Sequence, residues 1–249
     1  MRLLPALADT RKLSLDIGAA KGEYCSHLVL HSSGVVAFEP LGFDGSEIAW
    51  ITHALNLPIR FEKVALSDQQ GEAPMRILEG VKGLGTIEPA NTLKYSGDTS
   101  IIEFAVDTRT LDSYGLSNVG LIKVDVEGHE NSVLRGAWDT LQRNRCSLLV
   151  ECEERHSPGA IEKLFSFTES LEYAGYFLLG ENIIPISDFR TKEHQDPSNL
   201  ADWRGGWKRS GLYINNFIFI PREKTTQFML SCEKLAISLP QKPDEARTE

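Results

Sequence analysis

The sequence is poor in the features that mark several large classes of protein. It has four cysteines, Cys25, Cys146, Cys152 and Cys232, with no C-x-x-C pair among them. That removes support for a zinc ribbon or a dithiol redox site. In a chain of this length they are expected as reduced, partly buried thiols. No apolar run reaches the roughly 18 residues of a membrane-spanning helix. The opening "MRLLPALADTRK" is too short for a secretory apolar region plus cleavage site. These absences predict a cytoplasmic protein with no transmembrane segment. Positive charge is also in deficit: Lys and Arg number 26 against 35 Asp and Glu, a formal net charge of -9. An acidic chain without a dense basic stripe is not expected to bind nucleic acid. No repeat at a fixed period is present.

The composition does support a globular α/β chain. The 249 residues, 41% of them hydrophobic, suffice for one undivided domain with a full core. The expected core is 12–221, with a flexible tail over 240–249. Apolar runs alternate with amphipathic stretches, as in a parallel sheet with crossover helices. Strands are predicted at 12–17, 34–40, 59–67, 119–128, 146–153, 175–180 and 211–221. Helices are predicted at 22–32, at 44–56 with Asp44 as cap, at 130–142 and at 158–174. In the third of these, Val133, Leu134, Ala137, Trp138 and Leu141 share one face. The stretch 68–105 is the least regular, although "IIEFAVDT" (101–108) alternates well enough for an extra strand.

Three features fall in order at successive strand ends. The first is "LDIGAAKGEY" (15–24), a strand running into glycines. Its spacing, D-x-G-x-x-x-G, departs from the dinucleotide pattern, and Asp16 would repel a pyrophosphate. An α-ammonium would be attracted there, directly or through water. The second is Glu39 in "VVAFEP", placed to accept hydrogen bonds from two ribose hydroxyls. The third is "VALSD" (64–68), where the backbone with Ser67 or Asp68 would meet an adenine edge. Ribose plus ammonium without pyrophosphate describes S-adenosylmethionine. Taken singly, each feature is an ordinary βα turn or helix cap.

At this point the chain resembles the FkbM-type methyltransferase family. The matching stretches are "LDIGAAKGEY", "VVAFEP", "VALSD", "TRTLDSY" (108–114), "LIKVDVEGHENSVLRGA" (121–137), "LLVECEERH" (148–156) and "NNFIFIP" (215–221). They occur in the family's order. The resemblance implies a class I methyltransferase fold: a seven-stranded, mostly parallel α/β sheet with helices on both faces and an antiparallel last strand. It implies S-adenosylmethionine as methyl donor and a hydroxyl acceptor on a sugar, glycolipid or natural-product intermediate. The chain departs from the family at Ala20 and Lys21 in the glycine turn. It departs again at His129, where a small residue is usual; His129 reads as an exposed first-turn histidine.

Methyl transfer to an alcohol needs alignment and removal of a proton. Asp125 and Glu127 would share a face at one strand end. Glu151 and Glu153 end the next strand, and His156 follows. Three readings stand: Asp125 or His156 as base; Asp125, Glu151 and His156 around a divalent cation, the least favoured because the spacing is not diagnostic; or Asp125 and Glu127 as helix caps only. The candidate donor-binding residues are thus Asp16, Gly18, Ala20, Gly22, Tyr24, Glu39, Ser67, Asp68 and Asp125. The candidate catalytic residues are Asp125, Glu151 and His156, and no metal ligand is assigned. The stretch 187–210, with Trp203, Trp207, Arg204, Lys208 and Arg209, is either a lid over a small-molecule or glycan acceptor or a packed crossover. Glycine-rich 80–86, with Thr86, is placed beside the site. The rivals are a non-catalytic nucleoside-binding or scaffolding protein and a nicotinamide dehydrogenase.

Overall fold

The computed structural model describes residues 1–43, 47–79, 85–93, 100–200 and 211–239. Its strands are β1 (Leu13–Ile17), β2 (Gly34–Phe38), β3 (Ile59–Glu62), β4 (Ala65–Leu66), β5 (Gly71–Leu78), β6 (Gly85–Thr86), β7 (Ile101–Arg109), β8 (Val119–Val124), β9 (Ser147–Glu151), β10 (Tyr173–Leu179), β11 (Asn182–Pro185) and β12 (Asn216–Pro221). Its helices are α1 (Leu4–Leu7), α2 (Glu23–Leu28), α3 (Glu47–Leu55), α4 (Glu130–Arg135), α5 (Trp138–Asn144), α6 (Ala160–Ser170), α7 (Thr191–His194) and α8 (Thr225–Lys234).

The main sheet has the order β11-β10-β12-β9-β8-β1-β2-β3. From β9 to β3 every pairing is parallel. β12 runs antiparallel to both β9 and β10. The sheet therefore has eight strands where seven were expected. The addition is β11, a short edge strand folded back on β10. Strand order reverses at β1: β2 lies on one side and β8, from much later in the chain, on the other. The carboxyl ends of β1 and β8 therefore open a crevice at the switch point.

Alternation along the strands feeds two apolar layers. Leu15, Ile17, Val36 and Phe38 enter one, with Val124 and Phe217; Val35, Ala37, Leu121 and Ile218 enter the other, with Leu28 and Phe228. Full burial on both faces is why the central strands read as unbroken apolar runs.

A second sheet, ordered β4-β7-β5-β6, was not foreseen. The single strand expected over 59–67 divides at Lys63: β3 joins the main sheet and β4 the second. The extra strand foreseen at 101–108 is β7, which belongs to the second sheet and pairs with β5 along its length. β5 lies inside the stretch read as irregular, with Pro74 interrupting its pattern.

The helix expected over 130–142 breaks into α4 and α5. At the break, a Cβ on Gly136 would stand 2.0 Å from the carbonyl oxygen of Ser67, so backbone packs directly on backbone. Trp138 does not join the buried face; it is 37% exposed and rests edge-on against Phe167. In the stretch proposed as a lid, Phe189 packs against Phe165, Phe177 and Phe217. Gln195 ties Cys152 and Ile214 carbonyls together. The described half is thus anchored on the body. Trp203, Arg204, Trp207, Lys208 and Arg209 lie outside the described residues, as do Asp44, 80–84 and the expected tail 240–249. Among the described residues no helix is long and apolar enough to cross a membrane.

Candidate active site

The glycine turn after β1 is shaped by close approach. Gly18 has φ 78, and a Cβ there would stand 1.7 Å from the carbonyl oxygen of Asp125. Only glycine lets β1 and β8 meet this closely. Gly22, at φ 81, lies against Ile48 in the same manner. Ala20 adopts the left-handed region at φ 47 without being glycine. That conformation is held by Glu39, whose Oε2 accepts the Ala20 amide at 2.9 Å while Oε1 accepts the Leu41 amide at 3.0 Å. Burial raises the Glu39 carboxyl above its ordinary value, and the two amides oppose that shift. Each oxygen retains a further acceptor position.

Around this turn lies a cavity of about 710 Å³, within the range of small-molecule sites. Gly18, Ala20, Lys21, Glu39 and Asp125 form its polar side. Leu66, Met75, Ile77 and Ile87 form an apolar wall. The second sheet thus closes the crevice that the first opens. Four sequence-predicted donor residues, Gly18, Ala20, Glu39 and Asp125, line this space, and Thr86 does too.

The other donor candidates sit elsewhere. Asp16 is fully buried below the floor, so it makes no direct contact with a ligand ammonium in this arrangement. Its Oδ2 accepts the Cys25 thiol at 3.1 Å, and its Oδ1 has no hydrogen-bond partner. Burial raises its pKa. Gly22 lies behind the turn, and Tyr24 borders a different cavity. Asp68 is turned outward, gripped by Arg135 through two hydrogen bonds of 3.0 and 2.8 Å. Ser67 is buried, and its hydroxyl lies 2.9 Å from His129 Nε2.

His129 is therefore not an exposed histidine. Its Nδ1 lies 3.1 Å from Glu88 Oε2, and burial lowers its pKa. A neutral ring donating from Nδ1 to Glu88 leaves Nε2 to accept from Ser67. The relay fastens α4 to both sheets.

The residue that sequence reasoning missed is Lys123. It is 2% exposed and is the register partner of Asp16. Its Nζ donates to Asp125 Oδ2 at 2.7 Å and lies 4.6 Å from the centre of the Tyr24 ring. Burial alone would lower its pKa, but Asp125 and Asp16 outweigh it and raise the value. The signal was available: a single lysine inside the apolar run "LIKVDV".

Glu151 ends β9 beside this cluster. It accepts Asn215 Nδ2 at 2.5 Å and Asn216 Nδ2 at 3.3 Å. Burial, then the nearby Asp125 charge, pushes its carboxyl up to about 8. Glu153 is held by Arg155, by Tyr213 at 2.6 Å and by Asn215.

His156 does not reach either the cavity or Asp125. It is 5% exposed and stands behind Glu127, Nε2 to Oε2 3.4 Å, both atoms lacking a hydrogen-bond partner. Burial pushes its pKa down to about 4. As a base on an acceptor it is screened by Glu127. Among the described residues, Asp125, Glu151 and His156 do not form a metal-ligating group. The cation beside Asp125 is the Lys123 ammonium. Glu130 takes the structural role, accepting the Val126 and Gly128 amides at 3.2 and 2.9 Å.

Comparison with known proteins agrees with this geometry. The family model described as "Methyltransferase FkbM domain" matches residues 16–178. No curated relative matches the chain. A methyltransferase FkbM from Methylobacillus flagellatus KT superposes with a TM-score of 0.50 at 16% identity, covering 87% of this chain and 47% of that one. The chain thus spans about half the length of that structure. An rRNA methylase from Streptococcus thermophilus gives 0.45 at 10% identity, with 87% and 89% coverage. A precorrin-6y C5,15-methyltransferase from Geobacter metallireducens GS-15 gives 0.45 at 8%, with 88% and 86%. At 16% identity the first likeness describes the fold alone. The family model spans more than half of the chain and contains the glycine turn, Glu39, Lys123, Asp125 and Glu151, so the chain belongs to the FkbM methyltransferase domain family.

Proposed function

We propose that the protein is an S-adenosylmethionine-dependent methyltransferase that methylates a hydroxyl oxygen. The observation that carries this reading is the cavity at the switch point, with Gly18, Ala20, Glu39 and Asp125 on one wall. The residues fit the donor in three respects. Glu39 keeps free acceptor positions on both oxygens for a pair of ribose hydroxyls. Gly18 lets the ligand approach the backbone closely. The apolar wall of Leu66, Met75 and Ile87 suits a flat base.

When bound, the donor supplies a methyl group already activated on a sulfonium. The protein's part is to position the acceptor oxygen and take its proton. Asp125 borders the cavity with one oxygen fixed by Lys123, so the carboxylate is oriented rather than free to rotate. Glu151, with a value near 8, is matched to proton transfer around neutral pH. Together they supply an acceptor for the hydroxyl proton beside the donor methyl.

Calorimetry with S-adenosylhomocysteine tests the donor assignment; a folded sample that shows no binding removes it. Incubating extracts with isotopically labelled donor and locating the label by mass spectrometry tests the chemistry. Label on carbon or nitrogen rather than oxygen contradicts the hydroxyl assignment. Asp125→Asn should lower turnover far more than S-adenosylhomocysteine affinity, and unchanged turnover would remove Asp125 from the chemistry.

A further inference from the structure

A second cavity, of about 440 Å³, lies on the other side of the Lys123–Asp125–Glu151 cluster. Its body is apolar: Leu3, Leu4, Leu149, Leu178 and Ile218 face it. Its inner end is polar, formed by Tyr24, Asn215 and Asn216. That end touches the cluster twice, through the Tyr24 ring over Lys123 Nζ and through Asn216 Nδ2 on Glu151 Oε2. Asn216 Oδ1 is buried and has no hydrogen-bond partner. At the outer rim Arg2 pairs with Glu181 at 2.7 Å and binds the Leu235 and Ala236 carbonyls.

An unpartnered buried carbonyl oxygen costs free energy unless something donates to it. An apolar chamber of this size favours an apolar occupant. Resting on the methyltransferase reading above, we propose that this cavity takes the acceptor, and that the acceptor is a mainly apolar alcohol rather than a free sugar. Its hydroxyl group lies at the Asn216–Glu151 end, and its hydrocarbon part fills the space beneath α1. A free sugar would bring several hydroxyls into a chamber whose polar groups are confined to one end, leaving most without partners.

The test uses primary alcohols from 1-butanol to 1-octanol as probes, with methyl glucoside as the polar control. Binding is followed by protein-observed NMR in the presence of saturating S-adenosylhomocysteine. Affinity should rise about four-fold per added methylene, the fold-change of about 0.8 kcal/mol per buried CH₂. Methyl glucoside should not bind in the same range. Ile218→Trp should weaken 1-octanol at least about ten-fold and leave S-adenosylhomocysteine affinity within about two-fold. Leu178→Trp, on a half-buried position, serves if the first variant does not fold. Affinity independent of chain length, tight glucoside binding, or 1-octanol binding unmoved by a folded tryptophan variant overturns the proposal. Loss of the donor reading looks different: S-adenosylhomocysteine itself fails to bind, and alcohol binding alone then no longer identifies an acceptor site.

Discussion

Lys123 Nζ donates to Asp125 Oδ2 at 2.7 Å while almost wholly shielded from water, with Asp16 and Glu151 also bearing on its charge. One ammonium therefore stands among three carboxyl groups at the meeting of β1, β8 and β9. Removing one partner of a buried ion pair leaves the other uncompensated, at a cost of about 3–5 kcal/mol. Lys123→Met should destabilise the protein by about that much at pH 8. At pH 5 the deficit should shrink, because buried carboxyls without a counter-charge take up protons. Denaturant unfolding at the two pH values measures it; an equal deficit at both would mean that Lys123 contributes packing rather than charge.

Gly18 is constrained from two sides. Its φ of 78 disfavours any side chain, and a Cβ would lie 1.7 Å from a backbone oxygen that cannot rotate away. Gly18→Ala should cost at least about 2 kcal/mol and separate β1 from β8 at the cavity floor. Its S-adenosylhomocysteine affinity should fall at least about ten-fold in calorimetry on folded material. Gly71, with no atom within 4 Å of its added Cβ, is the control. Gly71→Ala should leave affinity unchanged.

Much of this site was legible because its signals are local. The Asp16–Gly18–Gly22 turn, Glu39 and "KVDVEG" each declare a strand end within a few residues. Their assembly at one crevice follows from the order of a doubly wound sheet. What was not legible depends on distant contacts. Asp16 reads as a ligand contact until Cys25 and Lys123 cover it. His129 reads as exposed until Glu88 and Ser67, from separate elements, close on both ring nitrogens. His156 follows a strand end in sequence, yet Glu127 screens it. β5 was missed because Pro74 breaks its alternation and its pairing partner β7 lies across an intervening loop.

Glu39 joins ligand and turn. Its two oxygens hold the amides of Ala20 and Leu41, and Ala20 is in a left-handed conformation that needs support. Glu39→Ala should raise the S-adenosylhomocysteine dissociation constant by roughly ten- to a hundred-fold, from loss of about 1.5–3 kcal/mol of charge-assisted hydrogen bonding. Glu39→Gln keeps one acceptor and should fall between the two. If calorimetry shows the alanine variant binding like the parent, the ribose is held elsewhere.

Glu151 offers a pH test whose sign is fixed by its environment. Its folded-state value is raised to about 8 from an ordinary 4.5, chiefly by burial and then by Asp125. Below the lower value both folded and unfolded chains carry the proton, and nothing is lost. As pH rises between the two, the unfolded chain releases its proton while the folded chain retains it, so stability falls. Above about 8 both forms are ionised and the penalty is constant. Glu151→Gln removes this contribution but leaves those of Asp16, Glu39, Glu127 and Glu130, which burial shifts in the same direction. The informative quantity is therefore the difference in Tm between variant and parent. It should move in the variant's favour from pH 5 to pH 8, by on the order of 1 kcal/mol or about 2–4 °C. A difference that stays flat over that window would mean that Lys123, Asn215 and Asn216 together hold Glu151 ionised. The proton-accepting role near neutral pH would then pass to Asp125 alone.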